Sequence, residues 1–289
     1  MTLDLGERTF TAALLDLRGE VRERISRDLT GADGDAAVTL VYDLVDELLA
    51  RPHQPILGIG VGAPGIVDAD GTIRWAVNLS WTDLPLGRLL HARYGYPTIV
   101  ANDSRAAALA TFLFDGDDRP ANLVAIKIGR GIGAGLVLDG ELFGGDGDGA
   151  GEIGHIVVEP DGAQCHCGRF GCLETIASAP SIIRAAEAAG LEIDGSLTTL
   201  AALARDGDER ALTISRAAGR ALGSAIANLI GTLDVRRIVI HGSVTALGEP
   251  WLEAVRDEAI RRSLGPLARE TRILDGGIGD ELTLLGACA

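Results

Sequence analysis

The sequence predicts an α/β protein built from two similar halves, on three observations. Short apolar runs of strand length alternate with longer stretches whose apolar residues recur at helical spacing. The alternation breaks at the turn-forming stretch Asp115-Gly116-Asp117-Asp118-Arg119-Pro120 and then restarts. Each half also opens with a strand, a glycine-containing turn, a second strand and a tight turn: Asp16-Leu17-Arg18-Gly19-Glu20 in the first, Asp139-Gly140-Glu141 in the second. With 289 residues the chain has room for two domains of ~150 residues each.

In the first half, residues 9–17 read as a strand closed by Arg18-Gly19-Glu20 and followed by a second extended run. Residues 36–50 put Val38, Val41, Leu44, Val45, Leu48 and Leu49 on one helical face. Residues 56–61 read as a buried strand, 83–94 as a helix, 98–101 as a short strand and 104–114 as an Ala-rich helix. In the second half, 123–128 is a strand, 129–135 a turn, and Leu136-Val137-Leu138 leads into the Asp139-Gly140-Glu141 turn. A long helix over 209–232 carries small residues suited to close packing, including Ala217, Gly219 and Gly223. A strand at 237–241 ends in Gly242-Ser243, a helix covers 251–263 and a short strand 272–274. Aromatics are only 4% against 39 glycines, so the cores must be Val, Leu, Ile and Ala with closely packed backbones.

A net charge of −15 argues against nucleic acid as a direct partner, since phosphates need a basic face and an acidic surface repels them over ~8 Å. Apolar runs such as residues 56–61 fall well short of the ~20 residues of a membrane span. The N-terminus has no basic and then apolar segment of a secretion signal. The expectation is a cytoplasmic protein whose cysteines are reduced and need an explanation other than disulfides. Lys127 is the single lysine among the 26 basic residues, which reads as compositional bias.

The sharpest chemical feature is Gly151-Glu152-Ile153-Gly154-His155 followed by Cys165-His166-Cys167-Gly168-Arg169-Phe170-Gly171-Cys172-Leu173-Glu174. Three cysteines separated by glycines that permit a tight knuckle suit one tetrahedral ion, with His155 as the fourth ligand. His166, between two ligands, is expected to point away, and Cys288 to be a small buried hydrophobe.

The block from Gly151 to Ser178 closely resembles the zinc motif of the ROK family (repressors, open reading frames and sugar kinases). The resemblance continues in the family's order through Val61-Gly62-Ala63-Pro64-Gly65-Ile66-Val67-Asp68, Asn78-Leu79-Ser80-Trp81 and Asn102-Asp103, and so covers nearly the whole chain. It implies the sugar kinase, actin and Hsp70 fold class: two duplicated ribonuclease-H-like α/β domains around a ligand cleft. On that expectation a smaller lobe spans 1–117, a larger one 118–271, and residues 272–289 pack on the first.

The resemblance also implies roles. Asp103 matches the base that takes the proton of a sugar hydroxyl, and Asn102 its sugar-binding neighbour. On the residues alone Asp103 reads instead as the N-cap of the helix that follows. Glu152, His155 and Glu174 match sugar-hydroxyl ligands, with His155 giving one ring nitrogen to zinc and turning the other to the sugar. Without the resemblance, Glu152 and Glu174 read as surface charge. Gly65 brings its backbone near the sugar, although a turn alone would explain it. Dimerisation is a further implication.

Family kinases open with Asp, any residue, Gly-Gly-Thr and a basic residue; this chain reads Asp4-Leu5-Gly6-Glu7-Arg8-Thr9. A carboxylate at Glu7, ~4 Å from bound phosphates, would cost about 4 kcal/mol at an effective dielectric of ~20. Arg130 stands for a threonine in the second glycine loop, which keeps Gly131 and Gly133, and His241-Gly242-Ser243 stands for a glycine run. Intact sugar and zinc residues with an altered nucleotide site resemble the family's regulators, which carry a winged helix-turn-helix before the first strand. With three residues before Asp4, too few for a full first strand, and an end where the last helix would begin, the chain reads as a fragment or short member of a regulator. On that reading, DNA is reached only through an N-terminal domain. The expectation is a sugar-sensing module; the alternatives are an ATP- and Mg2+-dependent hexose kinase and a zinc-stapled interaction protein without ligand.

Overall fold

The computed structural model describes residues 1–6, 8–114, 120–276 and 281–289. Its first sheet starts with an antiparallel meander of β1 (Thr2–Leu5), β2 (Thr9–Leu15) and β3 (Val21–Asp28). The Asp16 carboxylate closes the second turn by accepting the N–H groups of Arg18 and Glu20. Helix α1 (Gly34–Leu49) buries Val38, Val41, Leu44, Val45 and Leu48, the stripe its periodicity predicts, and β4 (Ile59–Ala63) then lies parallel to β1.

A small antiparallel sheet follows, formed by β5 (Ile66–Val67), β6 (Ile73–Ala76) and β7 (Trp81–Leu84). The helix expected from residue 83 starts only at Leu86, as α2 (Leu86–Tyr94). Pro85 explains the difference, because the residue before a proline is driven out of the helical region and Leu84 is left to pair with β6. Strand β8 (Thr98–Asn102) lies parallel to β4 and runs directly into α3 (Asp103–Phe114). Of the break expected over 115–120, residues 115–119 lie outside the described residues.

The second sheet repeats the plan. Strands β9 (Leu123–Ile128), β10 (Ile132–Leu138) and β11 (Glu141–Phe143) form the meander. The turn expected over 129–135 is shorter, since Ile132 and Ala134 already pack into the core as strand residues. Helices α4 (Glu174–Ala177), α5 (Ala179–Ala188), α6 (Leu197–Arg205) and α7 (Glu209–Leu233) come next. Strand β12 (Arg237–His241), helices α8 (Glu249–Arg262) and α9 (Gly265–Glu270), strand β13 (Arg272–Asp275) and α10 (Leu282–Cys288) complete the chain. The strand orders, β3-β2-β1-β4-β8 and β11-β10-β9-β12-β13, show the same arrangement twice: an antiparallel meander whose first strand continues, on its other edge, into two further strands parallel to it. The predicted duplication is therefore present in the backbone.

Helices α3 and α10 lie between the two sheets. Ala108 of α3 packs with Leu123, Ala125, Val137 and Val239 of the second sheet, and Leu282 of α10 with Ala107 and Ala110 of α3. On the other side α10 meets β4 so closely that a Cβ at Gly60 would sit 1.7 Å from the Ala287 carbonyl oxygen. Here the glycine-rich, aromatic-poor composition acts as expected, by letting backbones approach. Two terminal expectations are corrected: β1 forms although few residues precede Asp4, and α10 forms as a helix with Cys288 exposed at its end instead of buried. Among the described residues no helix is long and apolar enough to cross a membrane.

Candidate functional site

The C-terminal ends of the parallel strands open into a cleft between the two sheets, the place where α/β folds expose backbone groups to a ligand. Gly65, Asn102, Asp103, Glu152, His155 and Glu174 all line it, together with Gly131 and Gly133 of the glycine loop. These residues come from five separate stretches of chain. The other residues matched to nucleotide binding, Asp4, Gly6 and Gly242, are not among its lining residues; nor is Arg130, which is exposed. Glu7 lies outside the described residues.

Asn102 is the mechanical centre of the first wall. Its Oδ1 accepts the backbone N–H groups of Ser104 (2.9 Å) and Arg105 (3.0 Å), and its Nδ2 donates to the Gly65 carbonyl at 2.8 Å. The cap expected of Asp103 thus falls to Asn102, one residue earlier. Gly65 has φ +83°, and a Cβ there would lie 2.1 Å from the Trp75 carbonyl oxygen, so the turn by itself requires glycine.

Released from capping, the Asp103 side chain faces the cleft from the first turn of α3, where the helix dipole favours an anion. Its Oδ2 accepts from Lys127 Nζ at 2.8 Å and its Oδ1 from Ser104 Oγ at 3.2 Å. Lys127 also donates to Thr283 Oγ1 at 3.0 Å.

On the opposite wall, Glu174 opens α4 and accepts the Ile132 N–H at 3.2 Å, which ties the carboxylate to the glycine loop. Withdrawal from water raises the Glu152 carboxyl above the ordinary carboxylate range; Asp103 and Glu174 push the same way and His155 opposes. His155 stands in a single 3₁₀ turn, Ile153–His155, with Nε2 4.0 Å from Glu152 Oε2. Its other ring nitrogen, Nδ1, lies 3.6 Å from Cys165 Sγ.

The ligand atoms of His155, Cys165, Cys167 and Cys172 all lie within 4.8 Å of one another. The Cys167 and Cys172 sulfurs are 3.7 Å apart. A tetrahedral zinc with bonds of about 2.0–2.3 Å has ligand–ligand edges of about 3.3–3.8 Å, which the 3.6 and 3.7 Å separations match, so the donor set fits that ion. The loop is held in this form by the Gln164–Phe170 and Val157–Cys172 bridges and by the Cys165 N–H to the Arg169 carbonyl. Burial pushes the Cys172 thiol up to about 12 and raises Cys165 as well, so a metal must displace protons to bind. His166 is exposed, stands outside the four-ligand group and lines the cleft.

Sequence reasoning missed Lys127, Ser104 and Trp75, which also line the cleft. Lys127 carried a signal, its status as the single lysine, that was read as bias. Within Asn78-Leu79-Ser80-Trp81, Asn78 faces the cleft while Leu79 and Trp81 are core; the Trp81 indole N–H donates to the Gly34 carbonyl. His241 is buried, with Nε2 3.0 Å from Thr111 Oγ1.

Known proteins share this architecture. A glucokinase of Halalkalibacterium halodurans is 34% identical over 303 residues, covering 98% of this chain and 92% of the relative. A ROK family glucokinase from Streptomyces griseus, solved with glucose and AMPPNP, superimposes with a TM-score of 0.87 at 27% identity, covering 99% of this chain and 96% of that one. A ROK family transcriptional regulator, described as a homolog of the E. coli MLC protein, gives the same TM-score of 0.87 at 31% identity, covering 99% of this chain and 76% of that one. The backbone thus matches kinase and regulator equally, and the ROK family model matches residues 1–289 throughout. With the duplicated sheets, the cleft and the Cys/His knuckle in place, the chain belongs to the ROK family.

Proposed function

We propose that this chain is a sugar-binding effector module of the regulator type, which takes a hexose or N-acetyl-hexosamine into the cleft between its sheets. The convergence of Asn102, Asp103, Glu152, His155 and Glu174 on one cleft carries the reading. Carboxylates suit a polyol because each accepts two or more hydroxyl donors, and walls from both halves mean that a bound sugar draws the sheets together. That closure is the signal passed on.

His155, Cys165, Cys167 and Cys172 would hold a structural zinc ion, which supplies a rigid tie at one wall. The protein's part is to turn the remaining His155 nitrogen toward Glu152 and the sugar. Weak nucleotide binding is supported by the substitutions at Glu7 and His241, while Arg130 could still meet phosphate through its guanidinium.

The second reading is an ATP-dependent hexose kinase, favoured by the 34% identical glucokinase and by the place of Asp103 in the cleft. In that case Asp103 takes the hydroxyl proton and Mg2+ accompanies ATP. A thermal-shift screen of sugars with and without magnesium-ATP, followed by a phosphate-transfer assay on each sugar that binds, separates the two. Sugar stabilisation with no turnover supports the sensor; turnover at ordinary kinase rates, ~1–100 per second, overturns it.

A further inference from the structure

We infer that Lys127 is a positioning residue for sugar recognition: it fixes the orientation of the Asp103 carboxylate and ties that contact to helix α10. The inference rests on the sugar-binding reading and adds to it a residue that the site motifs do not contain.

Lys127 sits near the end of β9 in the second sheet, whereas two of its acceptors, Asp103 and Thr283, lie on the helices between the sheets. Asp103 begins α3, 2.8 Å away, and Thr283 lies in the first turn of α10, 3.0 Å away. A lysine suits this junction better than an arginine, because a compact ammonium with three tetrahedrally arranged N–H groups serves acceptors converging from different directions. Thr283 is itself held, buried and with its methyl so close to β4 that a Cβ at Gly62 would lie 2.1 Å from it. Lys127 is therefore anchored against a fixed point, and the Asp103 carboxylate is anchored against Lys127.

Among the described residues three carboxylates line the cleft, and of these Lys127 is bonded to Asp103. Both Asp103 oxygens are engaged, Oδ2 by Lys127 and Oδ1 by Ser104, which restricts the side chain to one orientation. Each oxygen retains a lone pair for a sugar hydroxyl. A sugar docking on Asp103 then loads a contact that runs through Lys127 into α10, which packs on the first sheet. The bland alternative is a lysine that only neutralises a half-buried acid and has no bearing on the ligand.

Two measurements on the full chain separate these, one of which needs no sugar. Because Lys127 is the only lysine, 15N-lysine labelling places its side-chain ammonium in a single NMR resonance. Asp103→Asn is expected to shift that resonance strongly and speed its proton exchange; an unchanged signal would overturn the pairing.

For the ligand, dissociation constants of the tightest-binding sugar from the thermal-shift screen are measured for wild type, Lys127→Met, Asp103→Asn and the double variant. Lys127→Met is expected to weaken binding on the order of tenfold, and the double variant to be no weaker than Asp103→Asn. Full additivity, or an unchanged constant for Lys127→Met, overturns the positioning role. Thr283→Val, close to isosteric, covers the case in which Lys127→Met does not fold; it is expected to weaken sugar binding only where Asp103 is present, and unchanged affinity removes the link to α10. A wild type that binds no sugar at all refutes the sugar-binding reading instead, while the NMR result still decides the pair.

Discussion

The side-chain N–H of Asn102 reaches the Gly65 carbonyl oxygen at 2.8 Å, fastening the end of β8 to the loop after β4 while the same side chain caps α3. These two duties separate by substitution. Asn102→Ser keeps a capping oxygen but is too short for Gly65, so its stability should stay within about 1 kcal/mol of wild type, whereas Asn102→Ala should lose about 1–2 kcal/mol. Both should weaken sugar binding. Urea melts beside calorimetric titration check this, and a serine variant with full affinity would remove Gly65 positioning from the site.

Metal analysis of purified protein should find one zinc per chain. Stripping it with a chelator, or replacing Cys172 with Ser, is expected to lower the melting temperature and weaken sugar binding together, because His155 belongs to both the knuckle and the cleft wall. Since Cys165 and Cys172 bind protons tightly when metal-free, zinc retention should fall as the pH is lowered. Undiminished sugar affinity in the stripped protein would disconnect the two sites.

Helix α7 contains a built-in control for close packing. A Cβ at Gly223 would lie 2.4 Å from the Val255 carbonyl oxygen and 2.8 Å from Glu258 Cβ, so Gly223→Ala should cost about 1–3 kcal/mol by overpacking. Gly231, on the same helix, has nothing within 4 Å of that position, and Gly231→Ala should be neutral or stabilising by up to about 1 kcal/mol. Equal effects in chemical denaturation would contradict the close approach of α7 and α8.

Glu258 makes stability depend on pH in a definite direction. Hydrogen bonds from Arg261, with a smaller contribution from Arg262, outweigh burial and hold its carboxyl below the usual carboxylate range. A depressed folded-state value contributes stability above the unfolded value and loses it as the pH falls through the folded one. Glu258→Gln should therefore cost about 1 kcal/mol at pH 7, a modest figure because both arginine heads are exposed, and the gap from wild type should close below about pH 4. A constant gap across that range would assign the effect to packing.

Where local pattern and tertiary packing agree, the sequence was legible: β9 and β12 form at the predicted residues, and the α1 stripe is the buried one. The Cys/His spacing likewise identified four residues that the fold brings together. Strands as short as β5–β7 carry too few residues to show a period, so that sheet went unseen. Helices α5 and α6 were missed although Ser178 and Ser196 are ordinary N-caps and Leu197, Leu200, Ala201 and Ala204 form a buried stripe on α6. The Asp103 site was half legible. Its position followed from resemblance, but Lys127 lies 24 residues away and Thr283 a further 156 from Lys127, separations that no local pattern spans.

The place of α10 has a consequence for the order of synthesis. Residues 282–288 cover β4, where Gly60 and Gly62 are shaped to receive Ala287 and Thr283. The sheet translated first therefore gains the α10 part of its cover, over β1 and β4, only after residues 282–288 have been made. A chain that ended after β13 would hold every residue of the first sheet but lack the helix that packs against its β1 and β4.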